Sequence, residues 1–249
     1  MDEKKLLAQM YDFYNAHTLR GQNGDIAYYL EQLKKYRAKL TLVIGAGTGR
    51  VAIPLTEVSK VTALDFDKER LDILKQKTNK VETIYEDFYN YNSDKNYDSM
   101  IVPYSTIQFV SEGKNFDTFL RKLYEVTNLN TTVIFDASES FNSKKEKQNE
   151  LLFQDYCKEV DDNVAVYYTC KRWKEFAEFL VEYRLCQKQI SVFENEKYRY
   201  YNQEELMDAI NDNNFDLLKI DDGYGNNDFQ HKHLYHLRRK KWKSLMENM

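Results

Sequence analysis

Hydrophobic positions along this chain change period several times, and each change marks an element. Over residues 3–17, Leu6, Leu7, Met10, Phe13 and Tyr14 recur at three- and four-residue spacing, which predicts an amphipathic helix. Asp25 to Tyr36 repeats the pattern, with Ile26, Tyr29, Leu30 and Leu33 as the apolar stripe. Then Leu40, Leu42, Val43 and Ile44 form a short continuous apolar run suited to a buried strand, and Val51 to Lys60 reads as a helix with Pro54 near its start. Val61 to Asp65, Val81 to Tyr85, Tyr97 to Val102 and Thr131 to Asp136 read as further strands. Helices are predicted between them over Lys68 to Thr78, with Leu71, Ile73 and Leu74 toward the sheet, and over Asn115 to Thr127. Strands alternating with helices imply a parallel sheet wound by right-handed crossovers.

Residues 137–198 break that alternation. Lys144 to Glu159 reads as a surface helix. Val164 to Tyr168, Phe176 to Leu185 and Gln187 to Phe193 fit antiparallel strands that cover one edge of the sheet, with a helix over 174–185 as the competing reading. Their aromatics, among them Tyr167, Tyr168, Trp173, Phe176, Phe179 and Tyr183, either line a substrate pocket or form the core of this cover. Beyond it, Asn202 caps a helix with Glu205 as its reciprocal partner. That helix ends near Asn213-Asn214, and Phe215 to Ile220 and His233 to Leu237 supply the last two strands.

The first strand runs straight into Gly45-Ala46-Gly47-Thr48-Gly49-Arg50. Glycine permits positive φ and close approach of backbone to a ligand, and a helix N-terminus offers free N–H groups. The dinucleotide fingerprint G-x-G-x-x-G/A needs a small residue where Arg50 stands, so the spacing here is G-x-G-x-G instead. Twenty residues after Gly45, the second strand ends in Asp65, placed to accept hydrogen bonds from both hydroxyls of a ribose. Phe66 follows with an apolar face for a base, and the third strand leads into Glu86-Asp87-Phe88.

With these three strand-end motifs in order, the sequence resembles the class I S-adenosylmethionine-dependent methyltransferases of the small-molecule branch. The resemblance implies an α/β fold: a Rossmann-like, seven-stranded, mostly parallel sheet with helices on both faces, the seventh strand antiparallel. It implies S-adenosyl-L-methionine as cofactor, held by Tyr11, Gly45, Ala46, Gly47, Gly49, Asp65, Phe66, Asp87, Phe88 and Pro103, with Asp87 meeting the adenine amino group. Tyr11-Asp12-Phe13-Tyr14 is similar to a Tyr-Asp-x-x-Tyr pattern of the family's N-terminal lid, with Tyr14 one position early. Tyr104 and Gln108 match an aromatic-x-x-Leu-Gln-His run beyond the fourth strand, where Phe109 replaces the histidine. Arg199 to Leu206 matches a family run of Arg, two aromatics and Glu-Glu-Leu. The usual Pro-Gly-Gly turn before the fifth strand is replaced by Asn128-Leu-Asn130, and asparagine tolerates left-handed backbone. Val43 stands where many relatives carry an acid for the methionine amino group.

Transfer from a sulfonium needs alignment more than a special dyad; an amine acceptor needs only a partner to take its proton. Asp136 and Tyr104 are the catalytic candidates, though Asp136 reads rather more readily as a strand-end residue holding backbone amides. Tyr14, Gln108 and Glu139 are the substrate-side candidates. His231, His233 and His236 invite a metal reading, but no acid or cysteine partner is evident, and no metal site is expected.

Composition narrows the partners. The 249 residues carry 31 % charged side chains and a net charge of -4, which argues against a nucleic-acid clamp. Arg238 to Lys243 is a basic run that reads as a solvated end or an RNA contact. No apolar run approaches the roughly 20 residues that span a bilayer, and Met1 to Lys5 opens no signal peptide, so a cytoplasmic location is the expectation. Three cysteines without C-x-x-C spacing suit free thiols. The expected organisation is one domain: a helical lid at 1–37, a cofactor core at 38–136, a substrate lid at 137–198 and a closing segment at 199–249. The expected partner is a small polar molecule methylated on nitrogen or oxygen, an amino sugar or antibiotic-like compound; a homodimer stays possible. The alternatives are a nucleoside-binding or regulatory module without turnover, and an RNA methyltransferase.

Overall fold

The computed structural model describes residues 2–18, 24–109, 115–138, 146–173, 175–224 and 232–241. In chain order the first half comprises α1 (Glu3–Thr18), α2 (Gly24–Tyr36), β1 (Leu40–Ile44), α3 (Ala52–Leu55), β2 (Lys60–Asp65), α4 (Lys68–Lys77), β3 (Val81–Tyr85), β4 (Ser99–Val102), α5 (Phe116–Val126) and β5 (Thr132–Ser138). The second half comprises β6 (Lys147–Cys157), β7 (Asp162–Arg172), β8 (Phe176–Leu185), β9 (Ile190–Arg199), α6 (Gln203–Asp212), β10 (Phe215–Asp222) and β11 (Lys232–Arg239). One sheet has the order β10-β11-β5-β4-β1-β2-β3, parallel except for β11, which pairs antiparallel with both β5 and β10.

Central strands of such a sheet must be apolar on both faces, because helices cover both. Leu42, Ile44, Met100, Val133 and Phe135 point toward α5 and α6, where they meet Phe119, Leu120, Leu123 and Leu206. Their strand neighbours Val43, Ala63, Ile101 and Ile134 point the other way, against Tyr29 and Leu33 of α2, Leu55 of α3 and Leu71 and Leu74 of α4. The alternation along each strand thus supplies two cores from one sheet.

The second sheet, β6-β7-β8-β9, is an antiparallel meander. Leu6, Met10 and Phe13 of α1 bury against Val164, Val166, Val181, Tyr183 and Leu185 of β7 and β8, while β9 reaches α4 through the Glu194–Arg70 ion pair. Each of those α1 side chains gains about 1.5–3 kcal/mol by leaving water. The N-terminal helix and the four-stranded sheet are therefore one packed body.

Several predicted elements differ in form. Lys144 to Glu159 was expected as a helix, yet Lys147–Cys157 is an edge strand, and 144–145 lie outside the described residues. Its polar side chains favour a surface helix locally, but pairing with β7, through two register shifts, decides the outcome. The helix expected over Val51 to Lys60 shrinks to four residues. Past Leu55 the chain follows tighter turns, Thr56 and Glu57 N–H donating to Ile53 and Pro54 carbonyls. The Asn128–Asn130 turn closes through the Asn128 side chain, whose Oδ1 accepts from the Asn130 amide at 2.8 Å, without left-handed backbone. Asn202 does cap α6, its Oδ1 accepting from Glu205 N at 2.8 Å, but the Glu205 carboxylate turns to Arg199 instead of back to the cap.

Candidate functional site

β1 delivers the chain to the carboxyl edge of the sheet, where three glycines turn it. Gly45 has a φ of 70°, and a Cβ there would sit 2.8 Å from Thr106 Cγ2, so only glycine lets the loop after β4 close over this turn. Gly47 donates its amide to Asp65 Oδ2 at 2.6 Å, and a Cβ on it would reach the Tyr11 ring at 3.4 Å. Gly49 abuts Leu74 of α4 and lines no cavity.

Asp65 is buried at the end of β2, its Oδ1 accepting from Asp67 N at 2.8 Å. Burial raises its pKa, against the pull of those two amides. A carboxylate has about four acceptor positions, so two remain for hydroxyls of a ligand. Beyond it Phe66 is 75 % exposed, a large ring with one face free. Asp87 Oδ1 accepts from Tyr89 N at 3.1 Å, and Phe88 is held in the core against Phe119, ring centres 5.1 Å apart. A cavity of about 370 Å³ runs from Gly45 and Gly47 past Asp65 to Phe66, Asp87 and Phe88. Of the other cofactor-side candidates, Ala46 and Pro103 line a pocket of only about 30 Å³ beside it.

A second cavity, of about 310 Å³, lies between α1, the loop after β4 and the inward face of β7–β9. Tyr14 and Gln108 line it. Burial pushes the Tyr14 hydroxyl up to about 12. The Gln108 amide is committed to backbone: Nε2 donates to the Ser138 and Arg199 carbonyls at 3.0 and 3.1 Å, and Oε1 accepts from Ser138 N at 2.8 Å. It welds the loop after β4 to the end of β5 and to the end of β9. Glu139 lies outside the described residues.

Tyr11, Tyr104, Glu196 and Tyr198 line both cavities, and so form the passage between them. Tyr11 lies under the Arg70 guanidinium, 3.7 Å from the ring centre. Tyr104 and Ser105 both have left-handed backbone, φ 59° and 57°, a costly pair of conformations for non-glycine residues. Asp136 holds them: fully buried, its Oδ2 accepts from Ser105 N at 2.9 Å and pairs with Lys232 Nζ at 2.5 Å. Asp136 lines none of the cavities. Burial also keeps the Tyr104 hydroxyl well above its ordinary pKa, so at neutral pH it is a phenol and not a base.

Sequence reasoning missed Glu194, Glu196 and Tyr198. The inward face of β9 runs Val192, Glu194, Glu196 and Tyr198, an alternation that period-two reading finds once the strand is extended past Phe193. Glu194 pairs with Arg70 and accepts from the Tyr183 hydroxyl at 3.0 Å. Burial and the neighbouring Glu194 charge push the Glu196 carboxyl up to about 7. Of the histidines, His236 is buried against Tyr28 and Tyr36, His233 bonds Asp222 at 2.8 Å, and His231 lies outside the described residues. Among the described residues no three metal-ligating side chains converge.

Residues 41–130 match the family described as a methyltransferase domain. That stretch of the chain is similar to a methyltransferase domain. The matched stretch spans β1 to the turn before β5. The chain is similar in structure to an S-adenosylmethionine-dependent methyltransferase from Clostridium acetobutylicum, at 13 % identity and TM-score 0.74, over 93 % of this chain and 98 % of that one. It is similar to a sugar N-methyltransferase from a Streptoalloteichus species, at 12 % identity and TM-score 0.76, over 93 % of each chain. An amino pentose methyltransferase from Micromonospora echinaspora, solved with S-adenosylmethionine bound, aligns at 12 % identity and TM-score 0.72, over 92 % of this chain and 96 % of that one. At these identities the likeness is one of fold. No curated protein matches the chain by sequence.

Proposed function

We propose that this methyltransferase transfers a methyl group from S-adenosyl-L-methionine to nitrogen or oxygen of a small polar molecule, such as an amino sugar or antibiotic-like metabolite. The junction of the two cavities carries the reading. Gly45, Gly47, Asp65, Phe66, Asp87 and Phe88 offer what a nucleoside needs: close backbone, a carboxylate with acceptor positions to spare, and apolar faces. Bound there, the cofactor supplies an already activated methyl carbon.

The protein's own residues then have to position the acceptor and exclude water, an effect worth several kcal/mol. The second cavity suits this, because α1 and the β7–β9 face roof it, and about 310 Å³ is the size of a small-molecule site. Tyr104 presents a neutral hydroxyl to the passage, while Asp136 and Lys232 fix the turn that carries it. In this reading Asp136 is a positioning residue.

Calorimetry with S-adenosylmethionine and S-adenosylhomocysteine tests the cofactor side. Methyl-labelled cofactor incubated with total RNA and with small-molecule extracts tests the acceptor side; label appearing in RNA alone would overturn the proposal. Val43, fully buried in β1 where an acid would face the methionine amino group, favours the second reading of a nucleoside-binding module. Binding without any label transfer is its signature.

A further inference from the structure

Glu194 and Glu196 are two residues apart on β9 and both face inward, but their surroundings differ. Glu194 has Arg70 and the Tyr183 hydroxyl. Glu196 receives one hydrogen bond, from the Tyr198 hydroxyl at 3.0 Å, and forms no ion pair among the described residues. The charges that bear on it are Glu194, which opposes its ionised form, and Arg70, which favours it from across α4. Lys232, which also lines the acceptor cavity, is paired with Asp136.

Arg172 of β7 also lines the acceptor cavity, beside a group of tyrosines. α1 contributes Tyr11 and Tyr14, and the loop after β4 contributes Tyr104. β7 and β8 add Tyr168 and Tyr183. Burial holds all five hydroxyls above their ordinary pKa, so they stay neutral; the Tyr11 ring already carries the Arg70 guanidinium, and Lys232 Nζ lies 4.9 Å from the Tyr104 ring centre. A half-buried carboxylate that forms no ion pair among the described residues, set beside tyrosines at the passage between two cavities, is an arrangement that a cationic ligand completes.

Resting on the methyltransferase reading above, we propose that Glu196 binds the ammonium nitrogen of an amine acceptor and takes its proton, so that the acceptor is a primary or secondary amine. The ammonium gives one proton to a Glu196 carboxylate oxygen, which frees the nitrogen lone pair. That pair forms the new N–C bond as the methyl carbon parts from sulfur, whose bonding electrons remain on the sulfur as a neutral thioether. The methylated nitrogen carries the positive charge, and the proton on Glu196 leaves to solvent. With its carboxyl near 7, Glu196 is matched to an ammonium at neutral pH, and far too weak a base for an alcohol.

The decisive measurement is carbon-13 NMR of protein labelled at the glutamate carboxyl carbon, in the S-adenosylhomocysteine complex, with the Glu196 signal assigned by its loss in Glu196→Gln. Should that variant not fold, Glu196→Asp gives the same assignment. The expected midpoint is about 7. Ethanolamine, D-glucosamine and spermidine serve as amine probes, with ethylene glycol and D-glucose as their hydroxyl counterparts. At least one amine should lower the midpoint and no hydroxyl probe should. With an amine that is turned over, Glu196→Gln should slow transfer about 100-fold or more, with S-adenosylhomocysteine affinity within about threefold of wild type. A midpoint below about 5, or a signal unmoved by every amine, overturns the proposal. Loss of S-adenosylhomocysteine binding by the wild-type protein would instead strike the methyltransferase reading itself.

Discussion

Arg70 on α4 and Glu194 on β9 form an ion pair, and the same guanidinium lies over the Tyr11 ring of α1. One cation thus joins the nucleotide-binding half, the four-stranded sheet and the N-terminal helix. Removing it leaves Glu194 nearly buried with only the Tyr183 hydroxyl for a partner. Breaking a fully buried pair costs about 3–5 kcal/mol. Arg70 is 19 % exposed, which discounts this to about 2 kcal/mol. Arg70→Ala should therefore lower Tm by about 4–8 °C by scanning calorimetry. A Tm within a degree of wild type would mean that the pair is solvated in solution and ties nothing together.

Asp65 has a different task. Its two oxygens already hold the Gly47 and Asp67 amides, and the free acceptor positions face the larger cavity. Asp65→Asn keeps the shape, removes the charge and replaces one acceptor by a donor. Hydrogen bonds to a charged group contribute about 1.5–3 kcal/mol, so affinity for S-adenosylhomocysteine should fall about 10- to 100-fold by calorimetry. Unchanged affinity would remove Asp65 from the site.

Tyr11 separates packing from binding. Its hydroxyl and ring lie against Gly47 and beneath Arg70, while the apolar contacts of α1 with β7 and β8 are made by Leu6, Met10 and Phe13. Tyr11→Ala should weaken S-adenosylhomocysteine binding about tenfold or more, with Tm lowered by no more than a few degrees, since a cation–π contact contributes about 1–2 kcal/mol. Tyr11→Phe should keep both near wild type. A sharp fall in Tm for Tyr11→Ala with intact binding would make Tyr11 a core residue.

How far the sequence reached can be judged from particular residues. The strand-end motifs were legible because each couples a short apolar run to a residue type with one mechanical purpose. Gly45 must be glycine for Thr106 to pass, and Asp65 must end β2 to cap the Gly47 amide. The four-stranded sheet was legible only in part. Of the 11 residues of its edge strand β6 only Cys157 is buried, and nothing local distinguishes it from a surface helix. Glu196 was out of reach because its meaning is set by what it lacks. A glutamate on a strand acquires an elevated pKa only from burial and from Glu194 beside it, which pairing of β8 with β9 creates. The shared core of α1 with β7 and β8 was likewise invisible, since the helix pattern states that a face is buried but not against what.

His236 gives the stability its pH dependence on the acid side. The ring is fully buried in β11, with Tyr28 Oη at 2.6 Å from Nε2 and Tyr36 Oη at 3.0 Å from Nδ1. The Tyr28 proton goes to Asp221, so Nε2–H donates to Tyr28 and Nδ1 accepts from Tyr36, which is the neutral ring. Burial, reinforced by Lys219 and opposed by Asp221, lowers its pKa from 6.5 to about 3. Above 6.5 the ring is neutral in both states and the full stability is present. As pH falls below 6.5 the unfolded chain binds a proton that the folded protein refuses, so stability drops until the pH passes the folded value near 3. Two pH units below the unfolded value the loss should reach about 2–3 kcal/mol. Urea unfolding of wild type and His236→Gln at pH 6.5 and 4.5 isolates this contribution, since the other titrating groups are common to both. The variant should be less stable at pH 6.5, and its further loss on going to pH 4.5 should be smaller by about 2 kcal/mol. Equal losses in the two proteins would mean that the imidazole charges freely in the folded state and that the Tyr28–His236–Tyr36 arrangement opens to water.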